Sequence, residues 1–350
     1  MSVTPFDSPL LSGLLGDAEA AAYFLPAAEI EEMIRFEREL AVAQGAEGVI
    51  PPDAAHQIAR GTGDFRPDVA ALSRGAERDG VVGPEFVRQL RAHLGEHGRY
   101  AHFGATSQDL VDTALVLRLA PILDILAARL DGVAAALASV GQTQGARRLM
   151  GRTRMQDALP ITAGDKIAAW SAPLARDRVR LAELKPRLLV LQFGGAVGTR
   201  DGLNGKGAAI ARRLANALGL GVAPSWHTQR DSLAEFAGWL SLVTGGLGKI
   251  GLDVGLLAQM GEVELSGGGG SSAMPHKQNP VAAEVLVALA HHNATLVGGM
   301  HHALLHEQER SGAAWTLEWL TLPQMIVATA ASLRTAAALL QAIVRIGDPG

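Results

Sequence analysis

The sequence predicts an all-α protein, a small N-terminal helical domain followed by a long five-helix bundle. Three observations carry this. Alanine and leucine dominate long stretches while aromatics make up only 4% of the 350 residues, which favours helices packed closely on small side chains. Apolar residues recur at spacings of three and four through two long windows. The β-branched clusters bounded by turns that mark sheet proteins are scarce.

From Met1 to about Phe103, short helices are expected between Pro and Gly breaks. Ala27 to Gln44 is amphipathic, Pro51-Pro52-Asp53 starts a helix, Gly61 to Pro67 is a loop, and Gly83-Pro84 opens a helix through Leu94. Residues 1–105 are read as the N-terminal domain and 106–350 as the central bundle. Leu115, Leu119, Ile122, Leu126, Leu130, Val133, Leu137 and Val140 define the first long helix, with a local kink at Pro121. Leu233, Phe236, Leu240, Val243, Leu247, Ile250, Val254 and Leu257 define the second, studded with Gly238, Gly245, Gly248, Gly251 and Gly255. Each such glycine costs about 1 kcal/mol of helix propensity. Close helix–helix contact is therefore expected to compensate, with burial on more than one side. Further helices are expected from Pro160 to about Leu184, Pro280 to about Glu307 and Leu322 to Ile346. A helix buried on several sides in a chain of this size points to bundles from several subunits sharing one core. A monomeric bundle would show the same periodicity.

Composition narrows the function. A net charge of −4 gives no basic footprint for nucleic acid. With no cysteine, a disulfide scaffold, a thiolate zinc site and an iron–sulfur cluster are excluded. The first basic residue is Arg35, so no signal or transit peptide is read. No uninterrupted apolar run reaches the roughly 18–20 residues of a membrane span. A cytoplasmic location is expected.

Polar residues break the helical pattern in four places. His102 to Asp109 offers Thr106, Ser107 and Asp109, which either cap the next helix or hold a carboxylate at its N-terminus. Gly151 to Pro160 contains Arg152, Thr153, Arg154 and Gln156, which suit an anionic substrate or a solvated surface. Ser266 to Pro280 holds four successive glycines, then Ser271, Lys277 and Asn279. No Gly-Lys-Ser/Thr follows the glycines, so this is not a nucleotide P-loop, and a lid over an anion is expected. His306 to Trp315 is a polar break containing Arg310. His302 and His306 lie four residues apart, but Ala303 stands where the zincin pattern wants glutamate, so no metal site is read.

Together these stretches resemble the fumarase/aspartase superfamily from about Ile30 to the C-terminus. Gly270 to Pro280 is similar to its signature loop, His102 to Thr113 to its first stretch, and Gly151 to Pro160 to its second. Gly194 to Thr199 and Thr228 to Asp231 also match. The resemblance implies a homotetramer with a shared helical core, active sites built from several subunits, and a C-terminal domain largely absent here. Thr153-Arg154 replaces the Thr-His pair of the lyase branches, and Gln308 through Trp319 is similar to the lactonizing branch. That branch implies intramolecular lactonization of a tricarboxylate diene, chemistry that needs no leaving group, metal or organic cofactor. The roles implied are catalytic for Ser271, Arg154 and His102, with Ser271 the carbon acid/base. Thr106, Ser107, Thr153, Lys277, Asn279 and Arg310 are implied to bind substrate, with Gln156 and Glu284 in support. Arg154 is expected to pair with Glu284 or with a substrate carboxylate. The alternatives are an adenylosuccinate- or argininosuccinate-type lyase of the same superfamily, and a non-catalytic helical scaffold.

Overall fold

A computed structural model describes residues 4–270, 272–274 and 277–347. Helices come first: α1 (Ser12–Leu15), α2 (Ala18–Ala22), α3 (Pro26–Ala46), α4 (Pro52–Gly61), α5 (Val69–Asp79) and α6 (Gly83–His93), then a 3₁₀ turn at Gly95–Tyr100. The bundle follows as α7 (Ser107–Gln144), α8 (Ala163–Leu188), α10 (Asp231–Gln259), α11 (Val281–His302) and α12 (Gly312–Gln341), with the shorter α9 (Gly207–Leu218) between α8 and α10 packed against α3. Small strands sit between them: β1 (Arg148–Thr153) with β2 (Gln156–Thr162), and β3 (Val263–Leu265) with β4 (Ile343–Ile346).

The all-α architecture stands, with two local corrections. The segment read as a loop leading into a helix at Pro160 is an antiparallel hairpin, in which Pro160 pairs with Met150. Helix α8 begins only after Thr162, whose hydroxyl caps it by accepting from Asp165 N. At the C-terminus, the helix read through Ile346 stops at Gln341, and β4 takes over. Periodicity misses both because each strand is short and lies against a helix end.

Ion pairs and side-chain hydrogen bonds show the relative directions of α7, α8, α10 and α12. Arg178 bonds Asp131 and Lys185 bonds Asp124, so α8 runs back along α7. Trp170 Nε1 donates to Asp253 and Trp239 Nε1 to Asp177 O, so α10 returns alongside α8. Trp315 reaches Asp112 and Arg129 reaches Ala330 O, which sets α12 parallel to α7. At 38 residues, α7 spans about 57 Å at 1.5 Å per residue. The bundle therefore has a near end, where α7 begins, and a far end, where it stops.

Two apolar cores divide α7 between them. Leu110, Val111, Ala114, Val116 and Leu117 pack with α3, α6 and α9, while Leu119 through Val140 pack into the long-helix core. Each fully buried leucine contributes about 1.5–3 kcal/mol, so this one helix ties both cores together. The glycines of α10 are only partly explained inside one chain. A Cβ on Gly248 would lie 2.5 Å from that of Ala290, and one on Gly251 2.5 Å from Ala283 O, so α11 rides directly on α10 there. Gly238, Gly245 and Gly255 face open space, in one stripe with the exposed Leu242 and Leu252. Two helices also have the length and mean hydropathy of membrane spans, which a search for uninterrupted apolar runs does not register. They are α10 at 1.4, mostly packed in the core, and α11 at 1.3, whose most apolar window is only 28% buried.

Candidate active site

Helix α7 starts on a capping box. Thr106 N donates to Asp109 Oδ2 at 3.0 Å. Asp109 is fully buried and gathers four more donors: Gln192 Nε2 at 3.0 Å, Gly194 N at 2.8 Å, Gly195 N at 2.8 Å and His227 Nε2 at 2.8 Å. A buried carboxylate is tolerable only when its lone pairs are filled this completely. It welds the first polar stretch to the segment 192–195 and to the approach to α10. Gly195 stands at φ +71, and a Cβ there would meet Gly104 O at 2.8 Å, so close backbone approach requires glycine.

One helical turn further, Asp112 accepts from Arg230 Nη1 at 2.5 Å and from Trp315 Nε1 at 3.0 Å. Arg230 also forks onto Glu318, at 2.8 Å and 2.5 Å. Burial works to lower the Arg230 guanidinium, but the Asp112 and Glu318 carboxylates raise it above its ordinary value. Burial likewise works to raise Glu318, but hydrogen bonds from Arg230, with His306 Nε2 3.5 Å away, hold it below its ordinary 4.5. Both groups stay ionised, and the network clamps α7, α10 and α12 together beneath the near-end surface.

On that surface a cleft of about 500 Å³ is lined by Gly83, Arg88, Arg91, His102, Thr106 and Ser107, among others. Ser107 lies so close to Gly83 that a Cβ on the glycine would meet its hydroxyl at 2.6 Å. Arg88 is held by Glu85 at 2.8 and 2.5 Å, and that contact with Arg88 presses Glu85 down to about 2. Arg91 donates twice to Ala101 O. Two oriented guanidiniums, a histidine and a hydroxyl-bearing helix N-terminus converge on one cleft, which suits a polycarboxylate. Sequence reasoning found His102, Thr106 and Ser107 but passed over Arg88 and Arg91. Their spacing of three on an amphipathic helix, beside Gly83-Pro84, was the available signal. A slightly larger cleft, about 530 Å³, lined by Phe24, Val111, Leu115, Arg118 and Trp319 among others, is mainly apolar and holds none of the candidate site residues.

Arg310 sits at the rim of the near end, where it donates to Gln108 Oε1 at 3.1 Å and to Ala196 O at 3.0 Å. The remaining candidates are at the far end. Thr153 and Gln156 close the β1–β2 hairpin, and its turn residues Arg154 and Met155 have φ of 49° and 65°. This is the two-residue geometry that Asn-Gly normally supplies, so it is strained and gave no turn signal in the sequence. Arg152 anchors the hairpin to Glu262, at 2.6 and 3.0 Å. Arg154 is exposed, and no ion pair joins it to Glu284 among the described residues. The Arg154–Glu284 pairing therefore fails within one chain, because Glu284 lies exposed on the first turn of α11.

The glycine loop follows β3, which begins just after Arg152's partner Glu262. Gly269 and Asn279 exchange backbone hydrogen bonds at 2.9 Å and close its neck. A Cβ on Gly269 would lie 2.5 Å from Val281 Cγ2, so this glycine serves close approach as well as freedom. Lys277 is exposed, with its amide on Met274 O at 3.0 Å. Ser271, Pro275 and His276 lie outside the described residues.

One chain thus gathers His102, Thr106, Ser107 and Arg310 at one end and holds Thr153, Arg154, Gln156, Lys277, Asn279 and Glu284 at the other. The chain matches the family model described as Lyase over residues 25–292, and it belongs to that lyase family. It is 41% identical to a 3-carboxy-cis,cis-muconate cycloisomerase of Pseudomonas aeruginosa over 336 residues, which covers 93% of this chain and 73% of the relative. It is 39% identical to the Bradyrhizobium diazoefficiens protein of the same name, covering 93% and 74%. The crystal structure of the 3-carboxy-cis,cis-muconate lactonizing enzyme from Pseudomonas putida superposes with a TM-score of 0.90 at 38% identity, over 96% of this chain and 77% of that one.

Proposed function

We propose that this protein catalyses the intramolecular lactonization of 3-carboxy-cis,cis-muconate to 4-carboxymuconolactone, as a cytoplasmic homotetramer. One substrate carboxylate adds to an alkene carbon, forming the C–O bond. The π electrons move toward a neighbouring carboxylate, giving an enediolate-like intermediate. Ser271 then delivers a proton to the carbanionic carbon, and solvent reprotonates the serine. The total charge is unchanged until that proton arrives, so the enzyme's main task is to stabilise concentrated negative charge. Arg88, Arg91, Thr106, Ser107 and the N-terminus of α7 hold the carboxylates from one subunit. Lys277, Asn279, Thr153 and Arg154 close over the substrate from other subunits, with Gln156 and Glu284 supporting them, and Arg154 faces a substrate carboxylate.

The observation that carries this reading is the two-guanidinium cleft at the start of α7 in a chain so similar to cycloisomerases. Three features support a shared site. The polar stretches lie at opposite ends of a helix about 57 Å long. The stripe of Gly238, Leu242, Gly245, Leu252 and Gly255 on α10 has no cover among the described residues of one chain. Met155 and Leu159 on the hairpin stand 74% and 73% exposed, as interface residues do in a lone subunit.

The test is to incubate purified protein with 3-carboxymuconate, and separately with adenylosuccinate and argininosuccinate, while following ultraviolet absorbance. Loss of the diene absorbance with the first substrate alone is expected. Turnover of either succinate instead would replace this reading with a lyase, and no turnover at all with a scaffold.

A further inference from the structure

Resting on that reading of the reaction, we infer that Glu37 is a positioning residue that commits the His102 ring to act on substrate through Nε2. Glu37 lies in the middle of α3 and is only 1% exposed. A carboxylate that deep must be bonded on both oxygens to be tolerated. It is: Oε2 accepts from His102 N at 3.0 Å, and Oε1 meets His102 Nδ1 at 2.5 Å. Two turns along the same face of α3, Gln44 Nε2 donates to Phe103 O at 2.6 Å.

These contacts hold a strained turn. His102 sits at φ 59, a left-handed conformation that costs a non-glycine residue about 1–2 kcal/mol. The backbone contacts from Glu37 and Gln44 would be enough to anchor the turn. The bond to Nδ1 does something more. A carboxylate only accepts, so Nδ1 carries the proton in that bond, and Nε2 is the nitrogen left for the cleft that His102 lines. Nε2 then donates to a substrate carboxylate when the ring is protonated and accepts when it is not, from one fixed orientation. Charge on the substrate grows toward the enediolate, so the benefit of a preset ring falls on turnover more than on binding.

Three linked measurements test this. Glu37→Gln keeps the shape and one acceptor oxygen but loses the second acceptor and the charge. It is expected to lower kcat about 10- to 100-fold with KM within about threefold, and Glu37→Leu to fall further, toward His102→Ala. In the His102→Ala background, Glu37→Gln should cost nothing more, because the partner it positions is gone. Nitrogen-15 imidazole spectra, assigned by difference with His102→Ala and recorded where the ring is neutral, should show the Nδ1–H tautomer in the wild type and its loss in Glu37→Leu. Unchanged kcat in Glu37→Gln, additive losses in the double variant, or a tautomer indifferent to residue 37 would each overturn the proposal. If Glu37→Leu does not fold, Glu37→Gln and the wild-type spectrum still decide. Inactivity of the wild type toward 3-carboxymuconate would sink the functional reading instead, and the tautomer spectra would then decide the Glu37 proposal by themselves.

Discussion

At the near end of the bundle, the polar side chains around the start of α7 are buried and densely paired, although Gln44 Oε1 and the His306 ring nitrogens have no hydrogen-bond partner among the described residues. Asp109 takes five donors, Arg230 spans two carboxylates, and Glu37 holds both the backbone and the ring of His102. At the far end the candidate residues Thr153, Arg154, Gln156, Lys277 and Glu284 are exposed. Arg154 stands on a strained hairpin turn, and Lys277 and Glu284 face outward. The difference teaches how the work is divided. The near end is organised by contacts within one chain, and on the proposed function it serves as the preformed receptor for substrate. The far end carries groups whose setting one chain does not complete, and in the proposed homotetramer a neighbouring subunit supplies their pocket.

This contrast can be broken experimentally, beginning where the effect is largest. Ser271→Ala should cut kcat about 10²- to 10⁴-fold while the melting temperature stays put, because it removes the proposed proton donor. Mixing this variant with His102→Ala chains under conditions that exchange subunits should restore activity, since an intact near end can then meet an intact far end. No recovery would mean that the two ends do not share a site.

Arg230→Met should do the opposite. Stranding Asp112 and Glu318 without their cation is expected to cost about 3–5 kcal/mol of stability, read by urea unfolding. A smaller loss would show that the near end is less dependent on its charge network than its geometry indicates. Arg154→Ala should lower kcat/KM about tenfold to a hundredfold with stability unchanged, as measured by kinetics beside a thermal melt. An unaltered rate would remove the hairpin from the site.

The smallest effect concerns acid. Glu318 is held below its ordinary 4.5, so its ionised form adds stability that is fully present above about that pH and is lost as pH falls through its lower folded value. Glu318→Gln should flatten this part of the acid-unfolding profile, and an unchanged slope below pH 4.5 would show that other carboxylates dominate it.

Much of this was legible in the sequence, and particular residues show why. Spacing by three and four is a local property of a helix, and in α7 it runs through Leu119, Ile122, Leu126, Leu130, Val133 and Leu137, all of them buried. Thr106 and Asp109 announce a helix start through a contact three residues long. The hairpin at Arg154-Met155 was illegible because its turn uses residues that normally avoid positive φ. Arg88 and Arg91 looked like an ordinary helix surface, since nothing local reveals that the turn at residues 101–107 folds back beside them.

By itself the sequence determined the helices, their apolar faces and the polar breaks between them, because each depends on neighbours within a few residues. Only the tertiary structure decided which breaks share an end of the bundle, that Glu37 reaches His102 across 65 positions, and that Gly238, Gly245 and Gly255 are left uncovered. Such pairings come from the directions and lengths of whole helices, and helical periodicity carries no information about either partner's distant location.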